Sequence, residues 1–77
     1  MPSQEYVDLE KRIRSVGRLL GRGLSKSEIE TAKDDLVKIY IDIGNALVDG
    51  KIELADYAFL MSFATPFHLA VEFKLKP

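Results

Sequence analysis

The sequence predicts an all-α protein: a three-helix hairpin stack or small bundle, followed by a C-terminal extended segment. Three patterns carry this reading. Apolar residues recur at steps of three and four over long segments, the period of a helix with one buried stripe. Gly21 and Gly23, then Asp49-Gly50, punctuate the chain where helices should end. From Leu69 to Leu75 every second residue is a large hydrophobe, the period of a strand with one apolar face.

Helix 1 is expected over Gln4 to Leu20. Ser3 stands where an N-cap belongs, and Glu5 and Asp8 favour the first turns. Tyr6, Leu9, Ile13, Val16 and Leu20 form one stripe. Gly17 either weakens the helix interior or permits a close backbone contact.

Helix 2 has the clearest boundaries. Ser25 and Glu28 match a capping box, with Leu24 at the staple position. Ile29, Ala32, Leu36, Ile39, Ile43 and Ala46 form its main stripe, widened by Tyr40 and Leu47. Val37, Ile41 and Val48 are apolar on a second side, so the helix is either sandwiched or exposes that side to a partner. Asp49-Gly50 ends it.

Helix 3 is expected from Ile52 to about Ala64, apolar on nearly every face, with only Glu53 and Asp56 charged in that span. Pro66 disfavours a helical Thr65 and predicts a boundary there. Residues 66–77 then read as an extended interaction tail. A lone strand leaves backbone groups unpaired, so it should pair across a dimer or with another protein. A short final helix is the competing reading, because Phe67, Val71 and Leu75 share one helical face.

Residues 1–77 make one small helical domain. A chain of this size buries only about 60% of the surface its unfolded form exposes, so it needs well-packed helices or a partner chain. Cysteine is absent and histidine occurs once. Disulfides and thiolate zinc sites are therefore excluded, and no metal or other cofactor is expected. No apolar run approaches the roughly 18–20 residues of a membrane span, and no basic-then-apolar leader is visible, so a cytoplasmic setting and no membrane partner are expected. Residues 1–26 carry six basic and three acidic groups, a net of +3; residues 27–77 carry five basic and nine acidic groups, a net of −4. Such a dipole orients encounters or favours head-to-tail contact.

No residue set supplies a convincing acid, base, nucleophile or metal site, so an enzyme is not expected. Asn45, Asp49, Gly50, Ile52 and Asp56 resemble part of a calcium-binding helix–loop–helix. Leu47 replaces an oxygen ligand of that loop, and Asp56 replaces its bidentate glutamate, so a plain helix hairpin is the better account. His68 has no metal-ligating companion, and Asp34 and Asp35 point about 100° apart on a helix.

Two surfaces remain. Tyr57, Phe59, Phe63, Phe67, Leu69, Val71, Phe73 and Leu75 form the candidate protein interface, since aromatic side chains often anchor such contacts. Lys11, Arg14, Arg18 and Arg22 form a basic stripe opposite the apolar face of helix 1, provided the helix reaches residue 22. That stripe suits an acidic protein groove or a phosphate backbone. The preferred function is therefore a noncatalytic accessory or regulatory protein that binds a protein partner, by homo-oligomerisation or within a larger complex. The alternative is nucleic-acid binding through the basic stripe.

Overall fold

A computed structural model describes residues 3–76. It contains α1 (Gln4–Leu20), α2 (Lys26–Val48) and α3 (Leu54–Leu75). Short turns make consecutive helices antiparallel neighbours, so α1 and α3 run parallel with α2 reversed beside them. The cross-helix contacts fit this arrangement. Arg12 meets Asp42 between α1 and α2, Lys33 meets Glu72 between α2 and α3, and Tyr6 meets Phe59 between α1 and α3. The bundle measures 39 × 18 × 16 Å.

The caps follow the sequence. Ser3 Oγ accepts from the Tyr6 amide at 3.2 Å. Ser25 Oγ accepts from the Glu28 amide at 3.3 Å, while Glu28 Oε1 accepts from the Ser25 amide at 3.0 Å. This reciprocal pair satisfies two donors that a helix start leaves free. Gly50 closes α2 with φ +74°, a conformation open to a residue without a Cβ. Helix α3 begins at Leu54 rather than Ile52, because the Asp56 carboxylate accepts from the Glu53 amide at 3.2 Å and fixes the first turn there. Ile52 stays in the turn and is buried.

The core is the stripe predicted for each helix. Leu9, Ile13, Val16 and Leu20 of α1 meet Ile29, Leu36, Ile39 and Ile43 of α2 and Leu60, Ala64 and Val71 of α3. Among the described residues no polar or charged residue is buried.

The expected extended tail is not found: α3 continues through Pro66 to Leu75, and only Pro77 of that segment lies outside the described residues. Proline removes the bond that its amide would donate to the Ser62 carbonyl, at a cost of about 3 kcal/mol in a helix interior. The following turns more than offset this. Val71 is fully buried, and Phe67, Ala70 and Leu75 pack against the core. Burial of each large side chain contributes roughly 1.5–3 kcal/mol. A strand would have left the same backbone without partners. The proline ring is exposed, where its clash with the preceding turn is most easily relieved, and Thr65 Oγ1 donates to the Met61 carbonyl at 2.7 Å.

Candidate interaction surface

Continuation of α3 divides the predicted interface residues among three environments. Val71 is fully buried, which removes it from any surface. Tyr57, Phe63, Phe67 and Leu75 are half-buried and pack against the core. Phe59, Leu69 and Phe73 point outward and are 54%, 62% and 76% exposed. Leu54, at 70%, joins them at the start of the helix.

The outward face of α3 has one chemical character. Leu54, Ala55, Ala58, Phe59, Ser62, Thr65, Pro66, Leu69 and Phe73 succeed one another along it, and all are exposed. From Tyr57 to Val71, 15 consecutive residues carry no charged group. Exposed faces of soluble helices normally carry charge. Val37, Ile41 and Val48 of α2, apolar on the second side of that helix, are also exposed. The Lys33–Glu72 ion pair at 3.4 Å and the Tyr40–His68 edge contact at 5.9 Å mark the α2–α3 register. In that register the α2 stripe runs alongside Ala58, Thr65 and Leu69 and widens the apolar surface.

Toward α1, the surface is bordered by aromatic rings. Tyr6, Phe59, Phe63 and Phe67 follow one another at centroid distances of 6.1, 6.1 and 5.8 Å. Arg14 lies over the Phe63 ring at 5.6 Å and pairs with Glu10 at 3.2 Å. A shallow open depression of about 370 Å³ lies between Arg14, Gly17, Arg18, Phe63 and Phe67. A larger one, about 650 Å³, lies at the other end between Ser3, Tyr6 and the α2–α3 turn. Partial burial, then the neighbouring Glu10 carboxylate, holds the Tyr6 phenol above its ordinary pKa of 10.0.

The basic stripe is shorter than expected. Helix α1 stops at Leu20, so Arg22 lies in the following bend and leaves the line of Lys11, Arg14 and Arg18. Arg14 is exposed but engaged by Glu10 and Phe63, leaving Lys11 and Arg18 as the helical members of the stripe with no ion pair among the described residues.

The fold redistributes charge in a way the two sequence halves conceal. Cut across the bundle at the Arg12–Asp42 pair, the end holding the α1 start and the α2–α3 turn (residues 1–11 and 42–64) carries seven acidic and two basic groups, a net of −5. The opposite end (residues 12–41 and 65–77) carries nine basic and five acidic groups, a net of +4. The dipole therefore runs along the 39 Å axis.

Among the described residues no group of three His, Cys, Asp or Glu side chains could hold a metal ion. By length and composition α3 could cross a membrane, which revises the expectation that no segment qualifies; only 17% of its apolar window is buried in the bundle. The chain matches no family model, no curated protein and no solved structure.

Proposed function

We propose that this chain is a noncatalytic accessory or regulatory protein that docks onto another protein through the outward face of α3. One observation carries the reading: a 22-residue helix exposes Leu54, Phe59, Leu69 and Phe73 on a face with no charge between Tyr57 and Val71. Burying such a surface is favourable by roughly 25 cal/mol per Å² of apolar area before the costs of association. A contiguous apolar patch of this kind marks an interaction site.

A protein partner suits this helix better than a bilayer. The charge-free stretch of 15 residues is about 22 Å long at 1.5 Å per residue, short of a hydrocarbon core of roughly 30 Å. Its inner face is committed to a core shared with two charged helices. A cytoplasmic setting belongs to the same proposal. The test is site-specific photocrosslinking in cells that express the chain, from position 69 on the docking face and from position 15 in the α1–α2 groove. A discrete protein adduct from position 69 and none from 15 is expected. Equal adducts from both positions, or none from 69, would reject the docking face.

A further inference from the structure

We infer that the occupant of this face is a second copy of the same chain, its α3 lying antiparallel against the first across a two-fold axis near residue 65. The inference rests on the docking reading above and names its partner.

Two independent features make the face complementary to itself in that orientation. The first is size. Small residues, Ala55, Ala58 and Ser62, occupy the N-terminal half of the centre of the face, and large ones, Leu69 and Phe73, occupy the C-terminal half. An antiparallel pair centred at residue 65 sets position i of one copy against position 130 − i of the other. Phe73 then falls over the Ala55–Ala58 step of its partner, and Leu69 over the Ala58–Ser62 step. Large side chains enter spaces left by small ones, as close helix packing requires. A parallel pair would set Phe73 against Phe73 and leave Ala58 facing Ala58.

The second feature is charge. Glu53 and Asp56 stand at the start of α3, and Lys74 and Lys76 at its end. Antiparallel pairing brings the end of α3 that carries Glu53 and Asp56 beside the end of its partner that carries Lys74 and Lys76. The whole molecule repeats this polarity, with a net of −5 at one end and +4 at the other. Side-by-side antiparallel packing sets each acidic end against a basic end, while parallel packing sets like against like. Complementarity of this kind fixes orientation as well as favouring encounter. A two-fold axis makes the interface isologous, so one face supplies both sides and the assembly closes at two.

The absence of cysteine gives a clean background for the test. Sedimentation equilibrium of the full chain over a range of concentrations gives the mass, and single cysteines at Thr65 and Ala58 give the geometry. A dimer is expected in which Thr65→Cys joins its own copy with a short thiol cross-linker. Ala58→Cys does not, because two copies of residue 58 lie about 21 Å apart along the axis. The charge reversal Lys74→Glu/Lys76→Glu at the basic end should raise the dissociation constant about tenfold, and adding Asp49→Lys/Glu53→Lys at the acidic end, which leaves the Asp56 carboxylate on the Glu53 amide, should restore it to within about threefold. A folding defect would not be rescued that way.

A monomer at all concentrations up to about 1 mM overturns the inference. So does a dimer in which Ala58→Cys cross-links as readily as Thr65→Cys, or in which neither does. A monomer that pellets with phosphatidylglycerol–phosphatidylcholine vesicles also overturns it, in favour of a lipid surface. A monomer that still gives a larger adduct from position 69 removes self-pairing but leaves the docking reading. A monomer that gives none removes both.

Discussion

Gly17 lies directly beneath the ring of Phe67: a Cβ at residue 17 would stand 2.6 Å from Phe67 Cζ. The missing side chain is what lets α3 approach α1 in this part of the bundle. Phe67 in turn meets Phe63 at 5.8 Å on one side, so the ring can give way only toward the open depression beside Arg18, at the expense of its packing. Gly17→Ala should therefore destabilise the fold by about 1 kcal/mol, the overpacking cost exceeding the gain in helix propensity. Gly44 on α2 has nothing within 4 Å of its would-be Cβ. Gly44→Ala should stabilise by about 0.5–1 kcal/mol. Urea denaturation of both variants checks the contrast, and Phe67→Leu should recover most of the loss in Gly17→Ala.

Pro66 should be a cost that the rest of α3 carries. Pro66→Ala restores a donor to the Ser62 carbonyl and should raise stability by about 1–3 kcal/mol. Thermal unfolding followed by circular dichroism measures this. A loss of stability would mean that the local geometry imposed by the proline is needed for packing.

The two sides of α3 should respond differently to truncation. Leu60 is fully buried, so Leu60→Ala should cost about 2–5 kcal/mol. Phe73 is 76% exposed, and Phe73→Ser should change the stability of a single chain by no more than about 0.5 kcal/mol. Unfolding is measured at dilution, because association adds its own concentration-dependent stability. Equal losses at the two positions would contradict an outward-facing Phe73.

Much of this architecture was legible in the sequence. The Ser25–Glu28 box, the stripe from Ile29 to Ala46 and the stop at Asp49-Gly50 define α2, and the Ser3 cap and the stripe from Leu9 to Leu20 define α1. The tail was not legible, because over seven residues the two periods overlap. Leu69, Val71, Phe73 and Leu75 alternate as a strand would, yet positions four apart also share a helical face. On the helix, Val71 and Leu75 turn inward while Leu69 and Phe73 turn outward. Pro66 tipped the local reading toward a break, and only the packing of Phe67 and Val71 against α1 and α2 reverses it. The charge polarity was hidden for a different reason: each half of the sequence contributes to both ends of the bundle.

The α2 capping box makes stability depend on acid. The Ser25 amide bond to the Glu28 carboxylate, then the Ser25 hydroxyl, hold the Glu28 pKa below its ordinary 4.5. A carboxylate with a depressed folded value contributes stability above its unfolded value, and that contribution is lost as pH falls through the folded value. Stability should therefore decline as pH drops below about 4.5, with a smaller decline in Glu28→Gln. Ser25→Ala, which removes the hydroxyl of the cap, should cost about 1 kcal/mol at neutral pH. Denaturation midpoints at a series of pH values test both statements.

The parallel course of α1 and α3 has a kinetic consequence. Their contacts, such as Gly17 on Phe67, join residues some fifty positions apart, whereas α2 and α3 meet across the short turn at Gly50. Closing a long loop costs more entropy than closing a short one, and contacts that need it slow folding. The α1–α2 hairpin, across residues 21–25, and the α2–α3 hairpin, across residues 49–53, are thus both local units, and the parallel α1–α3 contact is the one that closes late. Because α2 separates α1 from α3 in sequence, the α1–α3 contacts are lost when either end helix unfolds, while the antiparallel pair that remains is still joined by its own short turn.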